Sequence, residues 1–202
     1  MATPKQIERE RRIISAAMAE FCNRGFHLAN VDDIATRANV GKATLYRHYV
    51  NKEGLFMKVF DHILDNIEKT IRQRTDFNSF RRGTEIGIKA YFGLFASSPE
   101  VFSFLKIFTG DESIPDGDMR RKLAERYLSR SIWAVEEIRR AQATEQIRRD
   151  IDPELLMQAT LGMLHFLIYH WIRTGKPKDL ISNTKMVSTI LFEGLLPDQI
   201  KA

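Results

Sequence analysis

Apolar residues recur along most of this chain at three- and four-residue spacing, and no alternating apolar runs flank an Asn-Gly turn. That period predicts an all-α protein. Ile7, Ile14, Ala17 and Phe21 place a first helix over about Lys5 to Asn23, with Gly25 set to stop it through positive φ. Asn30 then reads as the N-cap of a short helix through V-D-D-I-A-T-R-A, whose first turn carries Asp32 and Asp33 where the helix dipole favours acids. That helix ends near Ala38, before Asn39, a residue that tolerates positive φ. A third helix covers about Lys42 to Tyr49, and Asn51 caps a long fourth one through Phe56, Phe60, Ile63 and Ile67 towards Arg74.

From residue 77 the pattern changes. Eight aromatics fall between Phe77 and Phe108, and Pro99 and the stretch Thr109 to Gly117 break the helical period. Long helices are expected at about 118–147, 153–173 and 179–196, separated by Asp152-Pro153 and the Gly175/Pro177 pair. The total comes to about nine helices. The domain boundary is expected near Lys52, dividing 1–51 from 52–202, with helix four shared by both parts.

Residues 31 to 49 form the informative unit. Two helices of about two turns each, joined by a tight turn, are too short to persist alone. Ile34, Ala35, Ala38, Val40 and Leu45 supply a shared core at spacings that suit a helix-turn-helix, completed by Ile14 and Phe21 of the first helix. The second of the pair then projects Lys42, Thr44, Tyr46, Arg47 and His48 outward. Cations, a hydroxyl and an aromatic ring on one face can meet phosphates and base edges. Taken singly, His48 and Lys52 read as ordinary surface side chains, and Tyr49 as a core aromatic.

Charge sharpens this. Of the net +5, residues 1–52 hold +4, from nine Lys/Arg against five acids, while the remaining 150 residues are nearly balanced. A localised positive field suits a phosphate-contacting module. At 44% hydrophobic residues the chain can build a substantial core. One cysteine, Cys22, excludes a disulfide within the chain and fits a reducing compartment. The charged start, M-A-T-P-K-Q-I-E-R-E-R-R, lacks a secretory h-region. The longest nearly apolar run, Leu161 to Ile172, reads as too short and too polar to span a bilayer, so a cytoplasmic location without membrane contact is expected.

The stretch V-D-D-I-A-T-R-A-N-V-G-K-A-T-L-Y-R-H-Y-V-N-K-E-G-L resembles the DNA-binding signature of the TetR family of transcription regulators, and L-Y-R-H-Y followed by N-K-E-x-L is its specific part. The resemblance is strong over residues 10–60 and architectural beyond them. It implies that Lys42, Thr44, Tyr46 and His48 face the major groove or its phosphate walls, and that Lys52 meets a phosphate. Ala43 takes a position where bulk would hold the recognition helix off DNA, and Arg47 belongs to the same surface. Leu45 and Tyr49 match core positions. Gly41 and Asn39 depart from the family, which often has a capping Ser or Thr at the first and Gly at the second.

The resemblance further implies a C-terminal ligand-binding and dimerisation domain whose last two long helices pair with those of a second subunit. Leu155, Ala159, Met163, Phe166 and His170 along one helix, and Met186, Ile190, Leu191 and Leu195 along the next, suit that. Leu164, Leu167, Ile168 and Trp171 spread apolarity to neighbouring faces, which asks for burial on more than one side. Phe92, Phe95, Phe104, Phe108, Trp133, Phe166 and Tyr169 are the residues expected to line a cavity for a small apolar or aromatic effector, although such stripes also build plain core. The expectation is therefore a homodimeric, ligand-released repressor on a palindromic operator, with no cofactor and no metal. A helical small-molecule-binding or protein-interaction module without working DNA recognition is the alternative. An all-helical enzyme is the remote one: His165 and His170 share no helix face, and no phosphate loop or nucleophile elbow occurs.

Overall fold

A computed structural model describes residues 3–73, 78–98, 101, 117–175 and 179–194 of the chain. Among them, nine α-helices and no strands occur: α1 Pro4–Leu28, α2 Val31–Arg37, α3 Lys42–Tyr49, α4 Lys52–Arg72, α5 Phe80–Ser97, α6 Gly117–Arg130, α7 Ile132–Ala143, α8 Pro153–Arg173 and α9 Thr184–Phe192. A 3-10 turn, Leu180–Asn183, precedes α9. Two compact units result, one from residues 1–66 and 100–129, the other from 67–99 and 130–202.

The expected helices form, with differences at their ends. Thr3 starts α1 through a capping box with Gln6, and Pro4 occupies the first turn, where its missing N–H costs nothing. The regular course of α1 ends at Gly25, whose φ of 69° bends the chain before Leu28. The single helix expected over 118–147 is two, divided at Ser131. No glycine or proline marks that break, so local propensity does not announce it.

In the first unit, α1, α2, α3 and the start of α4 share one core. Ile14, Ala17, Ile34, Ala35, Ala38, Leu45, Leu55 and Phe56 are all buried. Phe21 meets Phe56 edge-on at 4.9 Å between centroids, and Phe26 meets it at 5.2 Å, the offset geometry that aromatic quadrupoles prefer. Val40, expected to plug the turn, is only half-buried. Glu20 is buried to 1% exposure in this apolar setting, which is costly unless its charge is answered. Arg24 lies 3.3 Å away, Arg37 lies 3.4 Å away, and the Asn30 backbone N–H donates at 3.1 Å.

The junction from α3 to α4 is tight. Val50 has φ 63° and ψ −55°, and the Asn51 N–H donates to the Tyr49 carbonyl at 2.6 Å, closing a three-residue turn of the strained hand. Its side chain is 81% exposed, so packing does not repay that strain. Asn51 caps α4 through its side chain, accepting from the Gly54 N–H at 2.8 Å. A Cβ at Gly54 would stand 2.2 Å from the Tyr49 carbonyl oxygen, so the absent side chain is what allows the turn to close.

The second unit packs α5 against α8, α9 and the 3-10 turn, with α7 on α8. Phe92, Phe95, Ile88, Val135, Ile138, Leu164, Ile168, Leu180 and Val187 form its core. The loop after α7 is fastened by Gln142, whose amide donates to the Arg148 and Ile151 carbonyls, and by Gln146, which accepts from the Phe80 N–H. Within the core, the Tyr91 hydroxyl and His165 Nε2 hydrogen bond at 2.8 Å, and burial pushes the His165 pKa down to about 4. Helix α8 is, by length and composition, apolar enough to cross a membrane, unlike the twelve-residue run considered from sequence, and only a minority of that stretch is covered within the described residues.

Gly54→Ala lowers stability by about 2 kcal/mol despite its gain in helix propensity, because the new methyl meets backbone, whereas Val50→Gly raises it by about 1 kcal/mol by relieving positive φ; urea unfolding monitored by circular dichroism reads both signs. His165 is held neutral in the fold, so its stability contribution is complete above about pH 6.5 and is lost as pH falls towards 4. The paired variant Tyr91→Phe/His165→Leu therefore loses less melting temperature between pH 7 and pH 4.5 than the native chain does.

Candidate nucleic-acid interface

In the first unit α3 packs against α2, with one side turned inward and the other outward. Leu45 and Tyr49 point into the core and are buried; burial, helped by nearby Glu10, pushes the Tyr49 hydroxyl pKa up to about 12. Lys42, Ala43, Arg47 and His48 are exposed on the other side, and Thr44 and Tyr46 are half-buried between the two faces. Gly41 starts the helix without a side-chain cap, and Asn39 adopts φ 53°, so both departures from the family pattern fit their backbone positions. Six of the seven expected residues thus lie on α3, and Lys52 lies at the start of α4.

Lys42 of this face and Lys52 beside it are engaged within the unit. The Lys42 ammonium lies 2.7 Å and 2.9 Å from the two Asp32 carboxylate oxygens, across the turn between α2 and α3, and this pairing raises its pKa. Lys52 donates to the His27 carbonyl at 2.9 Å and stands 5.0 Å from the Phe26 ring centroid. Burial lowers its pKa. One of its three N–H groups is therefore committed, and the ammonium is held in place rather than swinging freely. Arg9 of α1 donates to His48 Nε2 at 3.1 Å.

Arg9 is the group that periodicity alone did not single out. It lies 39 residues from His48, and only the packing of α1 across α3 brings them together. Lys5 and Arg12, four residues before it and three after, are exposed on the same side of α1 by helical spacing.

The residues expected to line an effector cavity separate. Phe92 and Phe95 are fully buried, with Tyr91 edge-on to Phe95 at 4.9 Å. Trp133 is half-buried beneath the Arg72 guanidinium, 5.5 Å from its ring, and Tyr169 is half-buried beside Arg173. Phe166 does not join them: it is 66% exposed, on the side of α8 opposite buried Leu164 and Ile168. Phe104 and Phe108 lie outside the described residues, as does Leu195 of the expected subunit interface. Among the described residues no group of three or more His, Cys, Asp or Glu side chains is placed to hold a metal ion.

Comparison with known proteins agrees with the geometry of the first unit. Residues 13–59 match the family described as "Bacterial regulatory proteins, tetR family". The HTH-type transcriptional activator FasR of Mycolicibacterium smegmatis is 36% identical over 87 residues, 42% of this chain and 39% of that one. The HTH-type transcriptional regulator YhgD of Bacillus subtilis is 26% identical over 94% of this chain and 97% of its own. The crystal structure of the regulator FadR from Bacillus subtilis, in complex with stearoyl-CoA, superposes with a TM-score of 0.75 at 19% identity, covering 93% of this chain and 100% of that one. A helix-turn-helix match on α1 to α4, followed by an all-helical remainder of the same fold, identifies the class of the first unit: residues 13–59 are a helix-turn-helix segment of the TetR type, and over its length the chain is similar to transcription regulators rather than to enzymes.

Proposed function

We propose that this regulator is a cytoplasmic homodimer that binds a palindromic operator through α3 and releases it when an apolar effector enters the C-terminal part. The observation that carries the DNA reading is the division of α3 into a buried side, Leu45 and Tyr49, and an outward side bearing Lys42, Ala43, Arg47 and His48, flanked by Thr44 and Tyr46. A helix so divided has its outer face free for a major groove. Lys52, fixed by the His27 carbonyl, takes a phosphate, and Arg9 orients the His48 ring towards the same groove. In this reading residues 1–51 are the reader, and 52–202 carry ligand binding and dimerisation.

The dimer reading rests on α8. Leu155, Ala159, Gly162, Phe166 and His170 recur at helical spacing, and all are exposed; Met186 of α9 is exposed as well. Fully covering a large apolar side chain is worth roughly 1.5–3 kcal/mol, so a stripe of this kind favours a second copy over water. Phe166 belongs to this stripe rather than to the effector site.

For the effector, the interior around Phe92, Phe95 and Tyr91 offers an apolar environment with one buried polar pair, Tyr91 and His165. The FadR structure holds stearoyl-CoA, and a long-chain acyl thioester is the effector class we propose for this chain. Repression rather than activation follows the commoner behaviour that the family resemblance implies, and FasR is an activator by name.

Selection of random duplex DNA by the purified protein at near-physiological salt tests the reader. A palindrome of two half-sites about one helical turn apart is the expected outcome, and retention of no sequence by folded protein would reject it. On the selected operator, Lys52→Ala weakens binding to every sequence alike and lowers the salt slope by about one per subunit, while Lys42→Ala and Tyr46→Ala also change base preference. Titration with oleoyl- or stearoyl-CoA then lowers operator affinity; tight binding of such a thioester with unchanged affinity would refute release.

A further inference from the structure

The pairing of Lys42 with Asp32 has a consequence for how α3 reads DNA. Asp32 stands in the first turn of α2, where its backbone N–H is held by the Asn30 side chain, and Lys42 is the first residue of α3. Both side chains are more than half exposed, and their charged atoms lie 2.7 Å and 2.9 Å apart. The other acids near the reader point elsewhere. Asp33 meets Arg24, Glu20 is buried between Arg24 and Arg37, and Glu10 meets Lys58. Among the described ion pairs, Asp32 is the acid that faces a cation of the recognition helix.

We propose that Asp32 is a specificity-determining residue, which together with Lys42 meets the major groove as a neutral donor–acceptor pair matched to a G·C base pair. This rests on the DNA-binding reading above. The physical reasons are two. A lysine beside a carboxylate adds little attraction to a phosphate, because the adjacent negative charge is repelled by the same backbone. A base pair answers both members at once: guanine presents the acceptors O6 and N7, and cytosine beside it presents the N4 amine as a donor. The lysine ammonium donates to guanine, and the Asp32 carboxylate accepts from cytosine. Discrimination is gained where bulk affinity is given up, since a phosphate satisfies only one member and leaves the carboxylate facing negative charge.

The test compares Asp32→Ala and Asp32→Asn with Asp33→Asn, which removes the same charge one residue away from an acid that faces Arg24. Each protein is taken through selection of random duplexes, then titrated against its selected operator and a scrambled duplex across a range of salt. In the native protein, one position of each half-site holds a G·C preference of roughly fivefold or more. In both Asp32 variants that preference collapses towards one, the salt slope on scrambled DNA steepens by about 0.9 per half-site, and affinity for scrambled DNA near 0.15 M salt rises about fivefold per half-site as Lys42 becomes free to take a phosphate. Adding Lys42→Ala to Asp32→Ala removes the steeper slope. Unchanged slope and unchanged half-site preference in both Asp32 variants would overturn the inference, as would equal effects from Asp33→Asn. If the native protein itself enriches no sequence, the DNA-binding reading fails instead, so the two failures are distinct.

Discussion

The carboxylate of Glu20 is the interaction around which the reader is organised. A charge at 1% exposure is tolerable only because several donors converge on it, and those donors come from different elements. Arg24 comes from the same helix, the Asn30 N–H from the start of α2, and Arg37 from its end. The buried charge thus fixes both the entry and the exit of α2 relative to α1. Since α3 packs against α2, the position of α3 follows. A pair of seven- and eight-residue helices has little stability of its own, so this external bracing is what gives α3 a defined surface to present.

The same economy appears in the cations. Lys42, Lys52 and Arg9 each rest on a partner within the first unit: a carboxylate, a backbone carbonyl and an imidazole. Exposed pairs of this kind add little to stability. Their effect is to hold long, rotamer-rich side chains in place, which in the DNA-binding reading proposed above reduces the entropy that binding must overcome. At the far end of α3 the chain reverses through a strained turn at Val50 that only a glycine at position 54 accommodates, so the exit of the reader is as constrained as its entrance.

The second unit has another logic. Its core is apolar around Phe92 and Phe95, with buried polar groups such as His165 and Ser188 answered by Tyr91 and Glu85. Its polar devices lie at the margins, where Gln142 and Gln146 hold the loop after α7 and Arg81 pairs with Glu193 beside the Phe80 and Phe192 rings. Among the described residues one side of α8, with Leu155, Ala159, Phe166 and His170, is exposed.

By itself the sequence determined the helical class, the helix-turn-helix and the face of α3 that turns outward, because those depend on local periodicity, on caps such as Asn30 and Asn51, and on a compact signature. Asn39 and Gly25 also declared their positive φ through residue type alone. Tertiary structure decided what local rules cannot encode. The break at Ser131 lacks a glycine or proline to announce it. The exposure of Phe166 depends on which neighbours cover α8, and aromatic residues at helical spacing look alike whether they meet a core, a cavity or a partner. Asp32 reads from sequence as an acid placed by the helix dipole; only the closing of α2 onto α3 puts it against Lys42. Arg9 meets His48 for the same reason: contacts between residues far apart in the chain arise from the fold of several helices together, and no spacing within one helix records them.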